Sequence, residues 1–377
     1  MELGQYYTPE IFSTLLVESM ISINADSILD IGCGQASLLS AARKRWNQAK
    51  LIGYDIDPKN YNVTGRNLHI EFGNGFDADL SQKILDAFGH IDISVSNPPF
   101  THVEINYEIS QILKLSRLFE CIPKSIKKIP AEIVFLAQNI LVLKTGGELG
   151  AILPASIISG EKWKGLREFL VTEKSLDKVI QLPNKAFNNT EAATFAVNFK
   201  NIKSQNNNIN LFSFEDNCEL EIDKKSGIKR LDYYYHSHCS NKNNIPLPPE
   251  VVIFRGNKSS KLLREASGSF LHTSSLKEQF QLLQFKNNNY PEGTKVASKG
   301  DFVISRVGSR CIGKTGFIQS GNIEVSDCIT VVKNLRFKNY ISYFKKGLFF
   351  KEISHNALGT GAKYLTFDII KEALEAI

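Results

Sequence analysis

The sequence has few of the residues that build disulfide frameworks, zinc sites or covalent thiol chemistry. It holds only six cysteines in 377 residues, and they fall singly without a Cys-x-x-Cys pair, which argues against a disulfide scaffold or a zinc finger. His236, His238 and Cys239 lie close together, but no second pair follows at zinc-site spacing. We interpret these three residues as part of a solvated loop and predict no metal site.

Long hydrophobic runs are also lacking. No uninterrupted apolar stretch reaches the length of a membrane span, and the polar start of the chain does not have the pattern of a signal peptide. With 42% hydrophobic and 22% charged residues, the composition is that of a soluble globular protein large enough for two domains. We therefore expect a cytoplasmic protein that has no membrane partner.

A short motif follows the apolar run at residues 91–95, which has the pattern of a buried strand. The motif reads Ser-Asn-Pro-Pro-Phe. The side-chain carbonyl of Asn97 and the backbone carbonyl of Pro98 are two acceptors that can localise the lone pair of a planar amino nitrogen. The consecutive prolines stiffen the loop, and Phe100 offers a flat face for stacking a ring. We predict methyl transfer to such a nitrogen, with Asn97, Pro98 and Phe100 as the catalytic residues.

A second set of motifs lies upstream of the first. The apolar residues 27–31 lead into Gly-Cys-Gly at 32–34 and then into a helical stretch at 38–42, an arrangement that brings backbone close to a nucleoside. The next apolar run ends at Asp55, at the spacing where a carboxylate binds ribose hydroxyls. The third glycine of a dinucleotide fingerprint is missing, since Gln-Ala-Ser follows Gly34. The loop therefore favours S-adenosylmethionine over a dinucleotide.

The rhythm of strands and helices predicts two domains. Up to about residue 200, apolar strands alternate with helical stretches such as 131–143 and 164–170, and residues 195–199 form a closing strand. We expect a surface loop at 201–210 and a connecting segment of little helical periodicity at 212–230. The predicted fold class is α/β: a doubly wound Rossmann-like domain over residues 1–229, followed by a smaller β-rich (α+β) domain over residues 230–377.

Positive charge is concentrated in the second of these domains. Residues 230–377 contain 21 Lys and Arg against 12 Asp and Glu, a net +9, whereas the first 229 residues contain 24 against 27, a net −3. Strands are expected there at 301–305, 316–318 and 328–332. Basic residues interleaved with strands and turn glycines are typical of a surface that binds a polyanion. The candidate residues for this surface are Arg306, Arg310 and Lys314, and the resemblance described next implies that the polyanion is DNA.

Taken in order, the motifs resemble those of the gamma-class adenine DNA methyltransferases, a family that includes the TaqI-type enzymes and the type I modification subunits. The resemblance rests on residues 5–9, the loop of Asp30, Asp55, residues 96–100 and residues 146–154. Residues 300–316 and 357–366 resemble the target recognition domains of type I specificity subunits. The resemblance implies methyl transfer from S-adenosylmethionine to the exocyclic amine of an adenine flipped out of duplex DNA, in a restriction-modification or related defence system.

The resemblance also implies roles for single residues. The flipped base would stack on Phe100 and Phe187. Asn74 stands where the family commonly has an acidic residue, and Ala36 where it often has a glycine, so we expect weaker cofactor binding rather than an inactive enzyme. The residues expected to bind the cofactor are Thr8, Asp30, Gly32, Asp55, Ile56, Asn74, Asn97 and Pro99.

Partners follow from the same resemblance. The chain ends soon after a short helix expected from Asp368, without a long helical spacer, which favours a stand-alone monomer or weak dimer on duplex DNA. A cognate restriction endonuclease would be a separate protein. Two alternatives stay open: a methyltransferase of RNA or of a protein glutamine, and a non-catalytic DNA-binding component of a modification complex. Amino methylation of cytosine is a lesser alternative.

Overall fold

The chain forms two compact units, Met1–Tyr233 and Tyr234–Ile377. The computed structural model describes residues 8–62, 65, 67–183, 186–187, 193–239, 245–266, 268–308, 310–358 and 363–376. The division lies at Tyr233, compared with the expected boundary after residue 229.

The first unit combines a large sheet with helices that alternate with its strands. Its strands are β1 (Ser27–Ile31), β2 (Lys50–Asp55), β3 (Leu68–Phe72), β4 (Ile91–Ser96), β5 (His102–Glu104), β6 (Lys128–Pro130), β7 (Leu143–Pro154), β8 (Ser175–Gln181), β9 (Thr194–Lys200), β10 (Asn208–Ser213) and β11 (Cys218–Asp223). Its helices are α1 (Glu10–Ser19), α2 (Ser37–Arg45), α3 (Leu80–Phe88), α4 (Tyr107–Leu115), α5 (Ala131–Val142), α6 (Ala155–Ser159), α7 (Lys164–Thr172) and α8 (Lys224–Lys229).

The topology of the large sheet creates a crevice. The nine strands lie in the order β11-β10-β8-β9-β7-β4-β1-β2-β3. The chain runs outward from β1 through β2 to β3, then returns to β4 on the other side of β1, and these neighbours pair in parallel. In an open α/β sheet, ligands bind at the carboxyl ends of the strands where the order reverses. The predicted Rossmann-like α/β fold is confirmed, and its switch point lies between β1 and β4.

The far side of the sheet differs from the expectation. Strand β9 lies antiparallel between β7 and β8, and the sheet continues through β10 and β11. The expected loop at 201–210 is present only as far as residue 207, because β10 begins at Asn208. The expected connecting segment at 212–230 is wrong, because it contains the end of β10, all of β11 and α8. The asparagines of β10 concealed a strand alternation, in which Ile209 and Leu211 are buried while Asn208 and Asn210 are exposed.

Helix α5 fixes the crevice from within the fold. All but one of its residues are buried, and it packs beside β4 and α3. Its first residue, Ala131, donates its backbone N–H to the carbonyl oxygen of Thr101 at 2.9 Å, directly after the motif at residues 96–100. Further along, the amide of Asn139 is hydrogen-bonded to the Ser94 hydroxyl of β4. The helix is thereby held to the same strand that carries the motif.

The second unit is a smaller α+β fold. It contains a five-stranded sheet in the order β12-β19-β16-β17-β14 and a three-stranded sheet in the order β13-β18-β15. Its strands are β12 (Val252–Arg255), β13 (Phe270–Leu271), β14 (Phe280–Gln284), β15 (Val296–Ser298), β16 (Phe302–Ser305), β17 (Thr315–Ser320), β18 (Asn322–Val325) and β19 (Ile329–Lys333). Its helices are α9 (Tyr233–Cys239), which spans the division, α10 (Ser260–Glu265), α11 (Phe337–Lys345), α12 (Leu348–Asn356) and α13 (Phe367–Glu375).

Three expected strands and the expected last helix of this unit are present. The strands are β16, β17 and β19, and the helix is α13. Helices α11 and α12 were not expected. The aromatic residues of α11 suit a strand equally well, but Phe337 and Phe344 lie seven residues apart and pack on one sheet face. The ring of Phe302 lies 4.8 Å from that of Phe344, measured between centroids.

Candidate active site

A cavity of about 310 Å³ opens at the carboxyl ends of the central strands. Its walls come from the loops that follow β1, β2, β3 and β4, together with α5. Cavities of a few hundred cubic ångströms are typical of small-ligand sites. All eight residues expected to bind a cofactor line it: Thr8, Asp30, Gly32, Asp55, Ile56, Asn74, Asn97 and Pro99.

The glycine loop after β1 is held tightly against β2. The backbone N–H of Gly32 donates to the carbonyl oxygen of Tyr54 at 2.7 Å, and that of Gly34 donates to Asp55 Oδ2 at 2.7 Å. Gly32 has a φ of +80°, and a Cβ there would lie 3.0 Å from the ring of Phe135. Glycine is therefore required by both conformation and space, and backbone is brought to the cavity wall.

Asp55 holds this loop in place through hydrogen bonds of its carboxylate. Besides the bond to Gly34, its Oδ1 accepts from the backbone N–H of Asp57 at 2.8 Å and from Asn60 Nδ2 at 3.0 Å. The carboxylate is buried but lines the cavity. Its expected contact with ribose hydroxyls stays a prediction, and the structure adds a positioning role that the spacing argument did not include.

Asp30 is the buried acid of the cavity. Its side chain is 1% exposed, and its Oδ1 has no hydrogen-bond partner among the described residues. Burial raises the pKa of Asp30 well above its usual range, and the nearby Asp55 carboxylate adds to the shift. A buried carboxyl without a partner costs free energy, which a cationic or hydrogen-donating ligand would recover.

The loop after β3 carries Asn74 and is supported from below by α5. Asn74 Oδ1 accepts from the backbone N–H of Phe76 at 3.2 Å, and its Nδ2 donates to Asp77 Oδ1 at 2.8 Å. Gln138 Nε2 donates to the carbonyl oxygens of Gly75 and Asp77 at 3.2 and 2.8 Å. The amide of Asn74 is thus used within its own turn in this structure.

Sequence reasoning missed two residues of α5 that shape the site. The ring of Phe135 lines the cavity, and a Cβ on Gly75 would lie 2.5 Å from it. Gln138, three residues further on, holds the Asn74 loop. Spacing of three on a helix places both on one face. Gln138 is one of three polar residues in a helix that is otherwise apolar, and this was the signal that could have identified it.

The Asn-Pro-Pro-Phe motif begins where β4 ends. Asn97 lines the cavity, and its Nδ2 donates to Thr8 Oγ1 at 2.9 Å, which fixes the orientation of the amide. Pro98 is buried, whereas Pro99 lines the cavity and accepts from the backbone N–H of Thr101 at 2.9 Å. The residues preceding Thr8 in the N-terminal motif lie outside the described part of the chain.

The two aromatic residues expected to stack a base lie together, but not as open platforms. The ring centroids of Phe100 and Phe187 are 6.4 Å apart in an edge-to-face arrangement. Phe100 is half-buried. Phe187 is only 2% exposed, with its ring 5.9 Å from that of Phe12 in the core. Stacking of a base on Phe187 therefore stays a prediction and requires the ring to be uncovered.

The histidines after residue 235 correct one expectation. They belong to helix α9 rather than to a solvated loop, and His236 is buried with its ring edge-on to Tyr235 at 5.0 Å. The side chains of His238 and Cys239 lie outside what the structure describes. Among the described residues, no group of three or more His, Cys, Asp or Glu side chains is arranged to hold a metal ion.

The three basic residues singled out in the second unit have different environments. Arg306 is half-buried, and its Nη1 donates to the carbonyl oxygen of Asp327 at 3.3 Å. Lys314 Nζ donates to the carbonyl oxygen of Lys277 at 2.8 Å. Arg310 is exposed.

In the part of the chain that the structure describes, no helix is both long enough and apolar enough to cross a lipid bilayer.

The fold and its cavity define the class of open α/β proteins that bind a ligand at the carboxyl ends of the central strands. Within that class, the chain belongs to the N-6 DNA methylase family, whose model matches residues 1–234.

Two curated relatives show how far the similarity extends. The chain is 26% identical over 247 residues to the type I restriction enzyme MpnII methylase subunit of Mycoplasma pneumoniae. The aligned region covers 59% of this chain and 44% of that protein. It is also 27% identical over 237 residues to the type II methyltransferase M.HincII of Haemophilus influenzae. Here the aligned region covers 62% of this chain and 42% of that protein. The chain thus spans less than half the length of both.

One solved structure resembles nearly the whole chain. The match to the type IIG restriction endonuclease BpuSI covers 98% of this chain and 58% of the BpuSI chain, with a TM-score of 0.51 and 12% sequence identity. At that identity the likeness shows the fold alone.

Proposed function

We propose that the chain is a site-specific adenine DNA methyltransferase that uses S-adenosylmethionine and serves a restriction-modification or related defence system. One observation carries the proposal. Asn97 and Pro99 of the catalytic motif line the same cavity as Asp30 and Asp55, which follow the pattern of a nucleoside site. Membership of the N-6 DNA methylase family supports it, as do relatives described as restriction-modification methylases.

The cavity residues fit the cofactor. Gly32 and Gly75 leave room that a Cβ would fill, and Phe135 provides an apolar floor beneath them. Asp30 holds a buried carboxyl oxygen without a partner among the described residues, beside which a cation or hydrogen-bond donor is favourable. We assign the ribose to Asp55, the methionine end to Thr8, and the adenine to Asn74 and Ile56, with Asn97 and Pro99 beside the reacting group.

S-adenosylmethionine supplies an electrophilic methyl group on a sulfonium sulfur. The chain's own contribution is to position and polarise the target amine. The side-chain oxygen of Asn97 and the backbone oxygen of Pro98 accept hydrogen bonds from the two N–H groups of the amine. The nitrogen lone pair is thereby directed at the methyl group that it attacks. The bond from Asn97 Nδ2 to Thr8 Oγ1 holds the acceptor in place. Phe100 stacks the base, whose extrusion from the duplex costs a few kcal/mol.

The second unit is proposed to recognise the DNA sequence, as a domain beginning near residue 230. Its net charge of +9 favours a polyanion, and its sheets carry Arg306, Arg310 and Lys314 at strand ends and turns. Which base pairs it contacts depends on side chains that reach the major groove. We further propose a monomer or weak dimer that acts in the cytoplasm beside a separate restriction endonuclease.

The decisive experiment is expression in a host that lacks DNA methylation, followed by sequencing with modified-base detection. Methyladenine at one defined sequence motif, absent when Asn97→Ala is expressed, is the expected result. Unmodified DNA together with methylation of RNA or of a protein glutamine by the purified chain would overturn the assigned substrate. Failure to bind S-adenosylmethionine in a titration would instead identify a non-catalytic component.

A further inference from the structure

A group of polar side chains lies at one end of the five-stranded sheet in the second unit. Arg255 of β12 is opposite Thr330 of β19, and Thr330 is opposite Ile304 of β16. Residues opposite one another in a ladder share a face, and residues two apart on a strand share it too. Arg306 follows Ile304 by two positions. Arg255, Arg306 and Thr330 therefore lie on the same face of the sheet.

The backbone of Arg306 is held firmly at this end. Its N–H donates to the carbonyl oxygen of Cys328 at 3.0 Å, and its carbonyl oxygen accepts from the backbone N–H of Leu365 at 2.8 Å. An isolated bridge between Val307 and Tyr364 continues the pairing. Tyr364 is 40% exposed, so its phenol is accessible beside Arg306.

Hydrogen-bonding groups in this cluster are left without partners. Arg306 Nε and the Thr330 hydroxyl are buried and have none among the described residues, and Thr330 is 0% exposed. Burial lowers the pKa of Arg306, and the neighbouring Arg255 lowers it further, while Asp327 partly offsets both effects. Buried donors without acceptors and cations close together both cost free energy, and a bound anion would relieve both costs.

We infer that Arg255 and Arg306 bind a phosphate group of the nucleic acid backbone. The inference rests on the proposed DNA-binding function and assigns one ligand group to named side chains. A phosphate carries a full negative charge and accepts several hydrogen bonds from separate side chains, which suits two guanidinium groups. A base edge is neutral and would leave the two cations without a counter-charge. Lys314 lies outside the cluster, because its ammonium is bound to the carbonyl oxygen of Lys277.

The test measures binding of the full-length chain to a duplex of arbitrary sequence by fluorescence anisotropy over a range of salt concentrations. For Arg255→Gln we expect affinity to fall about tenfold at low salt, and the slope of log affinity against log salt to decrease by about 1. Arg306→Lys keeps the charge but removes Nε, and we expect a similar loss of affinity with the slope retained. Lys371→Gln is the matched control, since this exposed lysine pairs with Glu375 in the same unit.

Thermal unfolding of each variant checks that the fold is retained, and Arg255 is exposed at a strand end, where substitution is tolerated. If the wild type binds the duplex and Arg255→Gln binds it with the same affinity and the same slope, the inference is wrong and the proposed function is unaffected. Relaxed preference at one base pair with the slope unchanged would overturn it too, because that result identifies base contact. A wild-type chain that binds no duplex would overturn both proposals.

Discussion

At the scale of single residues, the site depends on side chains whose partners fix their orientation. Asn97 is the clearest case, since its amide nitrogen is committed to Thr8 and its place at the end of β4 sets it on the cavity wall. Asp30 is the opposite case, a buried carboxyl whose Oδ1 finds no partner within the described residues. In the proposed function, Asn97 orients the target amine and Asp30 favours binding of the cofactor.

Asn97→Ala tests the catalytic assignment. We expect methylation to fall by about 100-fold or more, because removal of one positioned group that acts on the reacting atoms has that order of effect. Affinity for S-adenosylmethionine should change only a few-fold, as measured by calorimetry. Asn106→Ala is the control, because this asparagine caps α4 by accepting from the Ile109 N–H, and its loss costs about 1 kcal/mol of stability without affecting methylation. Normal turnover with lost cofactor binding would contradict the role.

Asp30→Asn tests the buried acid. We expect the variant to unfold at a higher temperature than the wild type near neutral pH, because it removes a buried carboxyl whose pKa is raised by burial. Its affinity for S-adenosylmethionine should be weaker, because a negative charge that would face a cationic ligand is gone. Thermal unfolding with and without the cofactor measures both effects. A variant that loses stability and keeps its affinity would show that Asp30 serves the fold alone.

At the scale of elements, α5 organises the site from beneath. One face of the helix carries Glu132, Phe135 and Gln138, spaced three residues apart. Phe135 forms the floor under two glycines, and Gln138 holds the loop after β3. The cavity is therefore shaped by a buried helix as much as by the loops that border it.

Gln138→Ala tests this support. The variant loses two hydrogen bonds to the backbone of the Asn74 loop, each worth about 1 kcal/mol. We expect the Kd for S-adenosylmethionine to rise about tenfold or more, while kcat at saturating cofactor is nearly unchanged. Gln82→Ala is the control, since Gln82 bonds only to exposed Asp86 on α3. A lower melting temperature with the same Kd would mean that Gln138 stabilises the fold but does not shape the site.

Glu132→Gln tests the pH dependence of the same helix. Burial raises the pKa of Glu132 to about 8, whereas in the unfolded chain it is about 4.3. Between these values the folded state keeps a proton that the unfolded state releases, so stability falls as pH rises through this window. The variant should gain stability over the wild type by at most about 1.4 kcal/mol for each pH unit.

Thermal unfolding from pH 5 to pH 8 follows this difference. Glu104→Gln is the control, because Glu104 is exposed and pairs with Lys128 on the neighbouring strand. Parallel curves for wild type and Glu132→Gln across that range would show that Glu132 is already ionised in the folded protein.

At the scale of the whole molecule, charge and chemistry are divided between two units. The cavity and the Asn-Pro-Pro-Phe motif belong to the first unit, which has a net charge of −3, and the excess of positive charge belongs to the second. This division predicts that the two ligands respond differently to salt.

Raising salt from 50 to 200 mM should lower affinity of the intact chain for duplex DNA by tenfold or more, because each neutralised phosphate releases counterions. Affinity for S-adenosylmethionine should change less than about twofold, because that site contains buried groups that salt screens weakly. Anisotropy for DNA and calorimetry for the cofactor provide the two measurements. If salt lowered the affinities for DNA and for S-adenosylmethionine by the same factor, the assignment of the two ligands to different units would be contradicted.

Much of the molecule was readable from the sequence because its signals are local. Alternation of strands and helices gave the α/β class, and residues placed directly after predicted strands, such as Asp55 and Asn97, were found on the cavity wall. Parallel strands bring their carboxyl ends to one edge, so the position in sequence alone placed these groups together.

Other features were decided by contacts between distant segments, which no local pattern contains. The strands β10 and β11 were hidden by polar residues on their exposed faces, and α11 was hidden by aromatic residues that suit either element. The sequence by itself determined the fold class and predicted the chemistry of the motif, because both follow from residue type and spacing. Only the tertiary structure decided that Phe135 and Gln138 support the cavity, that Phe187 is packed in the core, and that Arg255 and Arg306 share one face of the five-stranded sheet, because these depend on which faces meet after folding.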